Sequence, residues 1–385
     1  VRTHLRSYLI ITVVLSLLSA PVFYRLSQPG VRSDLLAHAH LARGMVENGG
    51  WFSYSLWYPL FHFLSFGSDR PGVVVATIVI LLTAFTVLKG WVVFWIAQRH
   101  LASTQLSVLV ALVVGVVMPM IDPSHPANLY LGQVSANVWH NSTNVMVAPF
   151  AIAAFYAGIV FLQRLTIRSA LIFSGLVMLS TLCKPNFSLA LLPVIGIATI
   201  VIVIRRREAV AHAIKLILIA FAPVAALLIL QFTIVFLSGT VRDTTLGISP
   251  FVVWSHFSAN ISYSLALSLA GPILMLLAMS PLARRSLEIQ ISWFALLVAI
   301  AQYALLVEVF PNGDVSFEGN WTWGSYTTIT VVFVFSLIHT LRQLSVPRLD
   351  VWPRVALFLA GLAVAAHTFS GIYYLLNVAK TINTF

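Results

Sequence analysis

Apolar runs of roughly 17 to 25 residues, the length that crosses a bilayer as helix, recur along the chain and are closed off by short polar or basic clusters. They predict spans near 8–24, 73–97, 105–121, 143–162, 169–183, 187–204, 216–238, 259–280, 290–310, 326–341 and 355–377, about eleven crossings. Periodicity adds little, because helices that face lipid on one side and protein on the other are apolar nearly all round. Length excludes outer-membrane strands, which need only about 10 residues and alternate in polarity. The expected fold is all-α, a polytopic membrane protein read as one integral membrane domain over residues 1–385, with amphipathic surface helices in a long first outer loop, 25–72.

Composition agrees with the pattern. Hydrophobic residues are 59% and charged residues 9% of the chain, against about 25% charged in a soluble domain. With a cytoplasmic N-terminus, fourteen of the 22 basic residues fall in short inside segments, seven fall outside, and Lys89 lies within the second span. This is the positive-inside distribution, so the net charge of +11 needs no nucleic acid to explain it. The acids are skewed the other way, with eight outside and Glu208, Glu288 and Asp350 inside. Insertion does not demand that skew, and it points to chemistry on the outer face. The first 24 residues read as an uncleaved first helix or signal anchor, since further spans follow. The single cysteine, Cys183, excludes an internal disulfide framework.

Five outer segments are richer than connections require. The first holds "SDLLAHAHLARGMVENGG" and then "WFSYSLWYPLFHFLSFG". Ser33 can cap a helix that starts at Asp34, placing that carboxylate in the first turn, where the helix dipole favours negative charge. Asp34 and His38 then share one face, His40 and Arg43 another, and Gly49 and Gly50 end the helix. The second segment, "DPSHPANLYLGQVSANVWHNST", brings His125, Gln133, Asn137, Trp139, His140 and Asn141 to the mouth of the fourth span. The third, "CKPNF", sets Lys184 as a lone cation in an outer turn, against the positive-inside trend, and so suits an anionic ligand such as a phosphate. The fourth carries Arg242, Asp243 and His256; the fifth carries Asp314, Glu318, Asn320, Trp321 and Trp323. All five could line one cavity. Lys89 and Glu308 lie in or near spans, and no role is assigned to them from sequence.

The N-terminal third resembles the GT-C superfamily, the multi-spanning glycosyltransferases that use lipid-phosphate-linked sugars. The resemblance rests on one span followed by a long outer loop that opens with an acid. It rests also on "SDLLAHAHLARGM" and "WYPLFHFL", which look like Asp-x-x-x-His and Tyr-Pro-Leu-x-His arrangements of bacterial members. "GQVSANVWHNST", "CKPNF" and "EGNWTWG" look like recurrent pieces of an uncharacterised bacterial branch. The resemblance implies transfer of a sugar from a polyprenyl-phosphate donor to a glycan, lipid or protein hydroxyl, at the outer face of a bacterial inner membrane. It makes Asp34 the general base, with His38 and His62 orienting it or binding phosphate. Lys184, with His140 or Arg242, would neutralise the phosphate; Trp139, Asn141, Glu318, Asn320 and Trp323 would contact sugar or acceptor. Many members carry a paired acid where this chain has Ser33-Asp34, which counts against a metal; a divalent metal stays an open alternative, with no ligand residue named, and no other cofactor is implied. Competing classes are a transporter or flippase of a lipid-linked or polyanionic substrate, an O-antigen ligase or polymerase, and an acyltransferase. A transporter is expected to place ionisable groups near the bilayer midplane, whereas here they crowd outside.

Overall fold

The apolar runs fold as helices. The computed structural model describes residues 2–31, 33–47, 55–122, 132–237, 243–344 and 350–381. In chain order the helices are α1 (Arg2–Leu26), α2 (Asp34–Glu47), α3 (Trp57–Leu64), α4 (Pro71–His100), α5 (Thr104–Val116), α6 (Ser142–Arg164), α7 (Ile167–Cys183) and α8 (Asn186–Arg206). They continue with α9 (Val210–Phe232), α10 (Val252–Phe257), α11 (Ile261–Ala278), α12 (Pro281–Arg284), α13 (Leu287–Leu305), α14 (Trp323–Gln343) and α15 (Val351–Thr381). Among the described residues nine are long and apolar enough to cross a membrane: α1, α4, α6, α8, α9, α11, α13, α14 and α15. The other two expected runs are the shorter apolar helices α5 and α7. Leu5, Leu9 and Leu17 stand exposed along α1, the outward apolar face that an integral membrane protein turns to lipid.

Helix α14 is the axis of the bundle, with every residue from Trp323 to Thr340 buried. Some of its hydroxyls turn back on its own backbone: Thr327 and Thr328 donate to the carbonyls of Trp323 and Gly324 at 3.1 and 2.6 Å. Gly324 lets α14 touch the start of α8, where a Cβ would lie 3.1 Å from the Asn186 carbonyl oxygen.

Two runs end earlier than their length predicts. The 105–121 run is helical only to Val116, after which the chain extends. There Met118 N–H donates to the His367 carbonyl at 3.1 Å, Met120 N–H to Leu267 at 3.0 Å, and Ile121 N–H to the Ser370 hydroxyl at 3.0 Å. The 290–310 run is helical to Leu305 and continues as a strand. Strands β1 (Thr245–Ile248), β2 (Leu306–Val309) and β3 (Val315–Ser316) form a small antiparallel sheet, with Leu246 opposite Glu308 and Glu308 opposite Ser316. An apolar run bordering a helix carries no periodic sign of the change, so the sheet is absent from the sequence reading.

Irregular chain also enters the bundle at 132–141, where almost every residue is buried. Backbone polar groups there must be met by protein. Val134 N–H donates to Ser268 Oγ at 2.9 Å, Thr330 Oγ1 donates to the Ala136 carbonyl at 2.6 Å, and Trp254 Nε1 to the Gly132 carbonyl at 3.2 Å. Asn137 ties the segment down, its Nδ2 donating to the Val114 and Val117 carbonyls at 3.0 and 2.8 Å and its Oδ1 accepting from Lys89 Nζ. The intramembrane lysine therefore holds this segment in place, and the segment leads directly into Asn141.

Candidate functional site

A cavity of about 810 Å³ opens at the end of the bundle where α2, the start of α6 and the α7–α8 turn meet. Its walls draw on all five polar segments, the fourth through Leu246 of β1.

The first loop delivers Asp34 and His38. Ser33 Oγ accepts from Leu35 N–H at 3.1 Å, the expected cap, and α2 begins at Asp34. One turn on, His38 Nδ1 lies 2.6 Å from Ser142 Oγ, and its ring stands edge-on to Tyr58. Burial pushes the His38 imidazole down to about 4, against the pull of Asp34, with Lys184 and His140 adding to the depression. At neutral pH it is uncharged, a hydrogen-bonding group rather than a cation.

Asn141 is the hub. As N-cap of α6 its Oδ1 accepts from Asn144 N–H at 3.0 Å, and also from Thr143 Oγ1 at 2.8 Å and Lys184 Nζ at 3.0 Å. Three donors on one oxygen fix the amide's orientation, so Nδ2 points the other way and donates to Asp34 Oδ2 at 2.7 Å. Lys184 Nζ also donates to Thr143 Oγ1 at 3.0 Å and sits 4.0 Å from the centroid of the Trp323 ring. The turn that carries it is tethered to the first loop: Leu56 N–H donates to the Leu182 carbonyl at 2.6 Å and Ser55 Oγ to Cys183 at 2.7 Å.

From the fifth segment come Glu318, Asn320, Trp321 and Trp323, with Asn320 Nδ2 donating to Glu318 Oε2 at 3.0 Å and Asn186 Nδ2 to the Asn320 carbonyl at 2.9 Å. Part of the lining is apolar. Leu228, Phe232 and, from a π-helical turn at Thr233–Leu237, Val235 and Phe236 supply it. A lining that combines one lysine, several amides and three carboxylates with hydrocarbon suits an amphiphile with a polar, phosphate-bearing head.

Of the residues singled out from sequence, the structure brings Asp34, His38, Asn141, Lys184, Glu318, Asn320 and Trp323 to this cavity. Four described candidates lie elsewhere. His62 lines a separate pocket with His40, Arg43, Phe61 and Asp69. Trp139 is 2% exposed, packed on Phe23 and beside Lys89 as part of the buried segment. His140 sits behind the wall, its ring centroid 6.1 Å from that of Trp323. Arg242 and His125 lie outside the described residues, as do Gly49 and Gly50. His256 stacks on Phe317 away from the cavity. The reading missed Tyr58, Thr143, Gln231, Gln302 and Glu308, all of which line it. Gln231 and Gln302 were visible as lone amides in apolar runs, the kind of residue that membrane burial makes costly without a purpose. Asp34, Glu308 and Glu318 share the cavity, and among the described residues no three His, Cys, Asp or Glu side chains gather at metal-ligand spacing.

Comparison with protein-family models, with curated proteins and with solved structures found no match to this chain.

Proposed function

We propose that the chain is a membrane glycosyltransferase that moves a sugar from a polyprenyl-phosphate carrier to an acceptor hydroxyl. The observation that carries this reading is the placement of Asp34 and Lys184 on the two sides of one buried amide, in a cavity that Leu228, Phe232, Val235 and Phe236 also line with hydrocarbon. The distribution of basic residues supports placing this end on the outer face, in this reading that of a bacterial inner membrane.

In the proposed reaction the acceptor oxygen attacks the anomeric carbon while the bond from that carbon to the phosphate oxygen breaks. Asp34 takes the hydroxyl proton as attack proceeds, and the electron pair of the broken bond stays on the departing polyprenyl phosphate. Lys184, held by Asn141 and Thr143, offsets the charge that gathers on the phosphate. Trp323, Asn320 and Glu318 form the side against which a sugar ring and its hydroxyls would rest. Leu228, Phe232 and Phe236 give the carrier's first isoprene units an apolar wall.

Purified protein supplied with polyprenyl-phosphate sugar and acceptor tests the reading. Asp34→Asn should lower transfer by about 100-fold or more, the range a positioned base contributes, with insertion and unfolding temperature unchanged. Near-normal turnover by that variant removes the base assignment.

A further inference from the structure

At the opposite end of the bundle, α1, α4 and α6 flank a second open space of about 700 Å³. Leu5, Leu9 and Thr12 of α1, Trp91 and Trp95 of α4, and Ala153 of α6 line it. Its walls are largely exposed, Leu5 at 69%, Leu9 at 61% and Trp95 at 42%, and they suit hydrocarbon. Trp91 Nε1 donates to Thr12 Oγ1 at 3.1 Å, and Thr12 Oγ1 donates to the Tyr8 carbonyl at 2.7 Å, so these polar atoms are consumed within the wall. The aromatics are braced: Tyr8 is edge-on to Trp91 and Phe94, and Tyr156 is edge-on to Trp95.

One mouth of the groove is basic. Trp91, Trp95 and Arg99 follow at four-residue spacing on one face of α4, and the Arg99 guanidinium stacks 3.6 Å from the centroid of the Trp95 ring. Arg6 and Arg164 are exposed at the same end. The nearby acid, Glu288, is buried and faces His339, with 4.0 Å between Oε2 and Nε2.

We propose that this groove is a binding site for an anionic phospholipid, its acyl chain along Trp91 and Trp95 and its phosphate on Arg99. Any bilayer lipid would fill an apolar furrow; the basic mouth is what selects among them. Arg99 is planar and already immobilised on Trp95, so its parallel N–H donors meet a phosphate with little ordering left to do. Basic pockets between membrane helices recognise anionic headgroups in this way. The site is independent of the sugar-transfer reading, because it lies at the far end of the bundle from Asp34 and shares no residue with that cavity.

The test is native mass spectrometry of the full chain released from bilayers of equal phosphatidylglycerol and phosphatidylcholine. Wild-type protein should retain phosphatidylglycerol by about fivefold over phosphatidylcholine, the factor one basic side chain supplies near an anionic surface. Arg99→Gln should abolish the preference, while Arg285→Gln, a basic residue exposed elsewhere, should keep it. Equal retention of the two lipids by wild type overturns the proposal, as does an equal loss in both variants, which would mean diffuse attraction. A photoreactive group at Leu9 should capture phosphatidylglycerol whether or not Arg99→Gln folds. Capture there of a second polypeptide chain, or no more lipid than a group at Leu362 of α15 captures, overturns it as well.

Discussion

Asp34 and Lys184 are joined through one amide. Asn141 gives its Nδ2 hydrogen to Asp34 Oδ2 at 2.7 Å and receives the Lys184 ammonium on Oδ1 at 3.0 Å. The carboxylate and the cation are thus set at a distance fixed by the width of a side-chain amide, with room in the cavity between the elements that carry them.

Asn141 does two jobs that substitution can separate. Asn141→Ala removes the N-cap of α6, worth about 1 kcal/mol, and strips hydrogen bonds from a part-buried carboxylate and ammonium, worth about 1–3 kcal/mol. Unfolding in detergent should register a loss of about 2–4 kcal/mol. Asn141→Asp restores the capping oxygen but has no hydrogen for Asp34 and sets a second negative charge beside it. It should recover the cap's share of stability while sugar transfer remains at least about tenfold down, since one charge-assisted bond is worth about 1.5–3 kcal/mol. Full transfer by Asn141→Asp would show that the contact to Asp34 is dispensable.

Lys184 should matter to binding more than to folding, since it is part-exposed on a turn already held by Ser55 and Leu56. Lys184→Ala should weaken binding of polyprenyl phosphate by about 10- to 100-fold, the range of one charge-assisted bond to phosphate. Lys184→Arg should not restore it fully. A guanidinium fork cannot keep the compact ammonium's contacts with Asn141 Oδ1 and Thr143 Oγ1 while stacked on Trp323. Titration of the lipid phosphate into the three proteins orders them, and an affinity equal in all three would end the phosphate role.

The spans were legible because hydrocarbon thickness imposes a length, and the Asp34–His38 face because a helix repeats every 3.6 residues. Contacts across the bundle had no such local trace. Asp34 and Asn141 are 107 residues apart, and the hub emerges only once the buried segment 132–141 is seen to enter the bundle. That same burial turned Trp139 from an expected sugar or acceptor contact into core. His62 misled because α3 is only eight residues long, and a helix that short gives too few apolar positions to fix which face turns inward. Glu308 reads as the end of a span but lies on β2, opposite Leu246, and the strand's alternation is what turns it to the cavity.

His38 makes a sign-definite prediction about pH. Its pKa falls from the ordinary 6.5 to about 4 in the folded protein, so between those values the unfolded chain binds the extra proton. Stability contributed by neutral His38 is therefore fully present above about pH 6.5 and is lost as pH falls through about 4. His38→Gln keeps a hydrogen-bonding group toward Ser142 without a titration in that range. Its unfolding temperature should depend less on pH between 6.5 and 4 than that of wild type, and equal slopes would show that His38 is not held neutral.

The extended stretch after α5 depends on a single close approach. At Gly371 of α15 a Cβ would stand 1.7 Å from the Val116 carbonyl oxygen, where backbone faces backbone and neither can swing aside. That approach is what lets Met118 N–H and Ile121 N–H reach the His367 carbonyl and the Ser370 hydroxyl. Gly371→Ala must push α15 away from the end of α5, at the cost of overpacking, about 1–3 kcal/mol, and of stretching those buried hydrogen bonds, about 1 kcal/mol each. Gly361, on the same helix, has nothing within 4 Å of its would-be Cβ, and alanine there should be neutral or slightly stabilising through helix propensity. Unfolding of the two variants side by side in lipid nanodiscs should place Gly371→Ala well below wild type and Gly361→Ala at or above it; equal effects would mean that α15 does not cross the end of α5 this closely.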